Sequence, residues 1–394
     1  MSLFATSRDI DVEAFAALCE QRVNLADFPL AQEVVSGVVI YDANTLRAAA
    51  ERDREGMLSE LHAVFRDGSG VMAVRNTYPD LSVIDRQSEV FRQIIAAEAQ
   101  SVVRADHFAK AGANQRIWNS LQKAAEHSPD SFIEYYANPL LGLIAEAWLG
   151  PWFQATAQVN VVTPGGQAQQ PHRDYHLGFQ SDEVAARFPL PMHRLSQNLT
   201  LQGAVAHTDM PLETGPTLLL PFSQHYELGY LAWRDPAFID YFAAHAIQVP
   251  LNKGDLLFFN PALFHAAGTN RTTDQFRMAN LLQISSAFGK PMETVNRDKM
   301  MLALYPVMLK RLEQGELNEE GMHAVIAMSA DGYSFPTNLD TDPPLHGMAP
   351  QTGQQLMALA LGERWEAGRF AEAVEAMRVQ AAGLRLVYRG SGDH

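Results

Sequence analysis

His172, Asp174 and His265 are the residues whose types and spacing first suggest chemistry. His172 and Asp174 sit two apart in the run Gln169-Gln170-Pro171-His172-Arg173-Asp174-Tyr175-His176. On an extended chain, residues i and i+2 point to the same side, so this pair can hold one ion. A third ligand must come from elsewhere, and His265 on a later predicted strand is available. Two histidines and one carboxylate on one face of an octahedral ion leave three positions open. That is the arrangement of non-haem Fe(II) oxygenases, where O2 and an organic co-substrate bind together. Arg277 heads the last predicted strand. A 2-oxo acid that chelates an ion through its keto oxygen and first carboxylate leaves a far carboxylate, which a planar guanidinium fork suits. A rival His-x-Asp, His207-Thr208-Asp209, runs straight into Met210-Pro211-Leu212-Glu213-Thr214-Gly215-Pro216. It reads as a strand exit, with Asp209 serving the turn.

Composition narrows the metal chemistry. The 394 residues include 13 histidines and a single cysteine, Cys19. One cysteine excludes an intrachain disulfide framework and any Cys-rich zinc or iron–sulfur site, leaving His and carboxylate as ligands. The chain is 47% apolar and 19% charged, ordinary values for a globular protein. Its 45 acidic against 30 basic residues give a net charge of −15 and no basic cluster. Nucleic acid and anionic membrane are therefore not expected partners; a small molecule is. The first ten residues do not resemble a secretory signal, and no apolar run reaches the roughly 18 residues of a membrane span, so the expected location is the cytoplasm.

The elements that must position these residues fall into three stretches. Residues 1–153 read as a helical extension packing on the core. Phe91, Ile94, Ile95 and Val102 share one face of a helix near 88–104, and Asn138-Pro139 caps and starts another that Gly150-Pro151 stops. Residues 154–290 read as short strands between turns. Ala157, Val159 and Val161 alternate with Gln158 and Asn160 up to the Pro164-Gly165-Gly166 turn. Further strands are expected around 198–205, 217–221, 256–259, 262–266 and 277–288, as in an antiparallel sandwich or barrel. Residues 291–394 return to the helical period, and Met300, Met301, Met308, Met322 and Met328 read as core packing. The three stretches are expected to form one integrated domain.

The chain resembles the phytanoyl-CoA dioxygenase family of Fe(II)/2-oxoglutarate-dependent oxygenases. The resemblance rests on Asn160-Val-Val-Thr-Pro-Gly165, His172-Arg-Asp174, Glu213-Thr-Gly-Pro216 with Thr217-Leu-Leu-Leu-Pro221 and His225, Gly254-Asp-Leu, and His265-Ala-Ala-Gly-Thr-Asn270 with Arg277. It covers about residues 154–288. It implies an α+β chain with a double-stranded β-helix (jelly-roll, cupin-like) core and helical extensions at both ends. It implies His172, Asp174 and His265 as catalytic iron ligands, Arg277 as the clamp on 2-oxoglutarate, and Asn160 beside that co-substrate, with O2 as oxidant. Because Asp174 is present where related halogenases lack the carboxylate, the expected reaction is hydroxylation of an unactivated C–H bond, with succinate and CO2 as co-products. Two other readings stay open: a mononuclear iron oxygenase with another outcome, such as desaturation or epimerisation, and a metal-bearing jelly-roll that binds a ligand without turnover.

Residues bearing on the substrate are fewer. Gln158, Asn160, Asn198, Thr200 and Gln202 lie on the polar faces of two predicted strands, and would make a polar pocket if those faces point inward. His176 reads as a structural histidine in preference to a residue at the pocket mouth. Arg116 reads as a helix-surface ion pair in preference to an anchor for an acidic group. A homodimer is allowed by the composition.

Overall fold

A computed structural model describes residues 3–101, 114–344 and 347–383. The fold is mixed α/β. Its centre is an eight-stranded sheet with a two-stranded sheet beside it. The strands are β1 (Glu33–Val35), β2 (Val38–Asp42), β3 (Val71–Arg75), β4 (Asn114–Ile117), β5 (Gln154–Val162), β6 (Thr200–Ala206), β7 (Leu218–Leu219), β8 (Leu256–Phe259), β9 (His265–Ala266) and β10 (Arg277–Ser285). The large sheet runs β1-β2-β3-β8-β6-β10-β5-β4, and β7 pairs with β9. Every pairing is antiparallel except β2 with β3. That parallel pair needs a crossover, which the helices Ala43–Arg52 and Arg54–Arg66 supply.

The period-2 alternation of β5 and β10 sorts their side chains between two environments. Ala155, Ala157, Val159 and Val161 join a core with Leu282 and Ile284 of β10 and with the helices Pro129–Tyr136, Pro139–Leu149 and Arg297–Glu313. Gln158 and Asn160 point the other way, into a cavity. The helices thus cover one face of the sheet and leave the polar face for the site. The helix after Asn138 forms as its sequence requires: the Asn138 amide oxygen accepts from Leu140 N at 3.2 Å, Pro139 takes the first turn, and Gly150 ends it at φ 77°. Met300, Met301, Met308, Met322 and Met328 are all buried in this helical layer.

The first stretch, expected as a helical extension, holds strands as well as helices. Residues 1–153 also supply β1 to β4, half of the large sheet. These strands are only three to five residues long. β2 and β3 are buried along nearly their whole length, so they carry no apolar–polar alternation to reveal them. The helix expected near 88–104 starts earlier, at Ser82, and buries Phe91 and Ile94; Val102 lies outside the described residues. Among the described residues, no helix is long and apolar enough to cross a membrane.

Candidate active site

His172 and His265 are brought together by backbone pairing. They form an isolated antiparallel bridge in which His172 N donates to His265 O at 3.0 Å and His265 N donates to His172 O at 3.2 Å. Directly opposed residues on antiparallel chains face the same side, and the two imidazole centroids are 4.4 Å apart. Asp174, two residues on, is fixed by its own backbone N donating to Pro261 O at 3.0 Å. Its Oδ2 then lies 3.8 Å from His172 Nε2 and 3.5 Å from His265 Nε2. Ligand atoms of all three fall within 4.8 Å of one another.

The hydrogen bonds of the rings fix which nitrogens face this point. His172 Nδ1 lies 3.1 Å from Gln170 O, and His265 Nδ1 lies 2.8 Å from Leu263 O. A carbonyl only accepts, so each Nδ1 carries the proton and each Nε2 presents a lone pair. Burial lowers the His172 pKa, as does neighbouring His265, and the charge of Arg116 adds to this. Burial pushes the Asp174 carboxyl up, but His172, His265 and Gln202 outweigh it and hold it at about 2. Two imidazole nitrogens and a carboxylate converging on one point are a donor set that fits a divalent transition metal.

Behind Asp174 stands an amide network. Gln202 Nε2 donates to Asp174 Oδ2 and lies 3.1 Å from Gln283 Oε1, which also accepts from the Tyr175 hydroxyl. Arg173, between the two ligands in sequence, is turned away and fully buried. Its Nη2 donates to Ser223 O at 2.7 Å and Tyr226 O at 2.9 Å, and its guanidinium lies over the Tyr230 and Phe264 rings. It ties the ligand strand to the loop carrying His225.

The site opens into a cavity of about 610 Å³. Its inner wall is built from strand registers: Arg116 on β4 opposes Asn160 on β5, and Asn160 opposes Ala279 on β10. Arg277 opposes Val162 and lines the same cavity. Burial pushes the Arg277 pKa down to about 10, with no carboxylate offsetting it among the described residues. The amide oxygen of Asn160 is buried with no hydrogen-bond partner among the described residues. Both groups are thus placed to meet something the cavity would hold.

Of the five polar-face residues, Gln158, Asn160 and Gln202 line the cavity; Asn198 and Thr200 do not. Asn198 belongs instead to the end of a helix, Leu190–Asn198. His176 is not in the cavity wall, and its Nδ1 lies 3.4 Å from Ser196 Oγ. The rival His207 is engaged at both ring nitrogens, by Ser88 Oγ at 2.8 Å and the Tyr135 hydroxyl at 2.9 Å. Asp209 accepts from Lys253 N at 2.8 Å, a turn role. Arg116 departs from its expected helix-surface position: it is on a strand, donates to Gln158 Oε1 at 3.1 Å and stands 5.0 Å from the Trp118 ring. Gln283, Tyr175, Phe179, Trp233 and Met292 escaped the sequence reading. Only Gln283 carried a signal, as a polar residue six positions from Arg277 on β10 and so on the same face of that strand.

Comparison with known proteins places this geometry in context. A family model described as phytanoyl-CoA dioxygenase (PhyH) matches residues 66–279, more than half of the chain. The curated protein dioxygenase trt7 of Aspergillus terreus is 26% identical over 189 residues, covering 45% of this chain. The match spans 60% of that relative's length. Among solved structures, the chain is similar to the non-heme alpha ketoglutarate dependent epimerase SnoN from nogalamycin biosynthesis, at 19% identity and TM-score 0.41 over 59% of this chain and 84% of that one. It is also similar to the carbocyclase SnoK from the same biosynthesis, at 18% identity and TM-score 0.42 over 58% and 83%.

Proposed function

The chain belongs to the phytanoyl-CoA dioxygenase family, and from that premise we propose that it is an Fe(II)- and 2-oxoglutarate-dependent dioxygenase that hydroxylates an unactivated C–H bond of a small molecule. The observation that carries this reading is the convergence of His172 Nε2, His265 Nε2 and Asp174 Oδ2 at the end of a cavity that also holds a buried, uncompensated Arg277. We take residues 154–290 as the catalytic core, a jelly-roll that supplies β5–β10, with 1–153 adding β1–β4 to the edges of the large sheet as well as helices, and 291–394 packed on as helices.

Iron, when bound, supplies activation of O2 coupled to oxidative decarboxylation of the 2-oxo acid. The protein's part is positional and electrostatic. His172 and His265 hold their Nε2 atoms toward the metal position because their Nδ1–H groups are tied to Gln170 O and Leu263 O. Asp174 supplies the negative charge, and Gln202 fixes which way its carboxylate turns. Arg277 takes the far carboxylate of 2-oxoglutarate in a bidentate, charge-assisted pair, and the Asn160 amide lies on the same wall. Leu257, Phe259 and Leu281 make that wall partly apolar, which excludes water and strengthens the pair.

The test is anaerobic addition of Fe(II) and 2-oxoglutarate while watching for the weak visible charge-transfer band, followed by O2 and a succinate assay. Succinate is expected even without substrate, and a metabolite library then identifies the compound that stimulates it and gains one oxygen atom. Absence of both band and succinate would sink the reading.

A further inference from the structure

Each arginine and carboxylate of the cavity wall already has a role. Asp174 belongs to the ligand set, and Arg277 is assigned to the co-substrate. Arg173 is spent on Ser223 O and Tyr226 O. Arg234 pairs with Asp182 at 3.0 Å. Arg116 donates to Gln158 Oε1, stands over the Trp118 ring and acts on the nearby Glu293 carboxyl. The wall therefore keeps no charge in reserve for a second ligand. Much of the remainder is apolar, with Phe179, Leu257, Phe259, Leu281 and Met292. A charged molecule would lose its water there with nothing to replace it, and an uncharged one would not.

Two neutral groups on the same wall are incomplete. The first is the Gln202 amide. A carboxylate only accepts, so the atom facing Asp174 Oδ2 must be Nε2, which also donates to Gln283 Oε1 at 3.1 Å. Oε1 is thereby turned elsewhere. Gln202 is 4% exposed, and its Oε1 is buried with no hydrogen-bond partner among the described residues. An amide oxygen only accepts, so it calls for an O–H or N–H. Ionised 2-oxoglutarate carries neither, which leaves the substrate to supply it. The same amide reaches Asp174, so this donor belongs beside the metal position.

The second is Trp233, which follows the short helix Gly229–Ala232 and lines the cavity. The Arg234 guanidinium covers one face of its ring, 3.7 Å from the centroid. Its Nε1 is buried with no hydrogen-bond partner among the described residues. An indole N–H only donates, so it calls for an oxygen on whatever fills the cavity.

We propose that the substrate is an uncharged, largely apolar molecule with a hydroxyl beside the carbon that is oxidised and a second oxygen elsewhere on its body. Gln202 Oε1 accepts from the hydroxyl, and Trp233 Nε1 donates to the second oxygen. The proposal rests on the reading of the site as a 2-oxoglutarate-dependent oxygenase, which commits Asp174 and Arg277 to metal and co-substrate. Gln202 then has two contacts, one orienting a metal ligand and one choosing the substrate.

Binding to the anaerobic protein, saturated with Fe(II) and 2-oxoglutarate, tests this without turnover. The probes are 5-, 6- and 7-hydroxy-1-tetralone, which place a hydroxyl and a carbonyl at different separations on one apolar body. Each is compared by calorimetry with its methyl ether, with 1-tetralone and with the matching hydroxytetralin. At least one hydroxytetralone is expected to bind about tenfold tighter than each of its three comparators, the size of one hydrogen bond to a buried group. The anion of 1-tetralone-6-carboxylic acid is expected to bind no tighter than 1-tetralone. Gln202→Leu should erase the preference for hydroxyl over methyl ether and keep the preference for the carbonyl. Trp233→Phe should do the converse. The comparisons in the unaltered protein need no variant to fold. The proposal is overturned if no hydroxytetralone outbinds its comparators, if the carboxylate outbinds the parent ketone, or if either preference survives the loss of its assigned side chain. Titration of 2-oxoglutarate into the Fe(II) protein separates the two levels: if it does not bind, the oxygenase reading fails, and the substrate proposal falls for that separate reason.

Discussion

His172 and His265 exchange both of their backbone hydrogen bonds, and their rings stand 4.4 Å apart as a consequence. The metal-ligand geometry is therefore written into main-chain pairing and does not depend on a metal to assemble it. Asp174 is held by a separate backbone bond to Pro261 O. Asp174→Ala should leave the histidine pair intact while removing the charged ligand. We expect an unchanged fold by circular dichroism, Co(II) affinity weakened by about 100-fold or more, and no hydroxylation. Product at the unaltered rate would remove the triad assignment.

Gln202 meets no metal, but its amide fixes the Asp174 carboxylate and is itself fixed by Gln283. Gln202→Leu removes the hydrogen bond with little change in volume. Metal affinity should fall roughly 10–100-fold. The Asp174 carboxyl loses one of the groups that hold its pKa at about 2, so metal binding should also become more acid-sensitive. Metal titrations at two pH values check both effects.

Arg277 is buried, with no carboxylate beside it among the described residues. Such a charge is costly until its partner arrives. Arg277→Met should stabilise the ligand-free protein by about 1–3 kcal/mol, read by urea unfolding. The same change should raise the 2-oxoglutarate requirement by roughly two orders of magnitude through loss of the bidentate pair. A gain in stability together with a loss of binding is what a residue kept for a ligand predicts. Lost stability with unchanged co-substrate dependence would refute the clamp.

How much of this was legible in the sequence follows from where each interaction lies. His172 and Asp174 are two residues apart, and β5, β8 and β10 show their period or their apolar run locally, so those strands and ligands could be read directly. His265 needed a guess about a distant strand, and it reaches His172 through a pairing of single residues that no local pattern marks. Arg116 was misplaced because β4 is a four-residue edge strand whose only evidence is its register with β5. The Tyr175–Gln283–Gln202 network joins three separate segments, and no local pattern announces it. The three polar residues that line the cavity were visible as an alternation, but which side of the strand faced inward was decided by the helices covering the other side.

Arg173 is a fully buried guanidinium whose partners are the carbonyls Ser223 O and Tyr226 O and the faces of two rings. Gly229 lies so close that a Cβ there would stand 2.0 Å from the guanidinium carbon. Gly229→Ala should therefore displace Arg173 and with it the segment carrying both His172 and Asp174. We expect a loss of about 2–3 kcal/mol, the cost of overpacking a filled core, with weaker metal uptake in the folded fraction. Equal stability and metal affinity in the variant would show that Arg173 has room to move.

His207, the histidine of the rival His-x-Asp pair, should dominate a local acid sensitivity. It is 3% exposed, and burial pushes its pKa down to about 3 from an ordinary 6.5. Ser88 Oγ gives its proton to Ile84 O, so it can only accept at its other contact; His207 Nδ1 therefore donates to Ser88, and Nε2 accepts from the Tyr135 hydroxyl. No site remains for a second ring proton. The unfolded chain takes up that proton below pH 6.5 and the folded chain does not until near pH 3, so stability is full above pH 6.5 and drains as pH falls through this window. The drain should reach about 2 kcal/mol by pH 5, at 1.36 kcal/mol per unit. His207→Gln keeps a neutral side chain and removes the titration. It should be less stable than the unaltered protein at pH 7.5, since the paired bonds are lost, but the gap in urea-unfolding free energy should close by about 2 kcal/mol on going to pH 5. A gap that stays constant across that range would mean that His207 is protonated in the folded state and that the network around it is not closed.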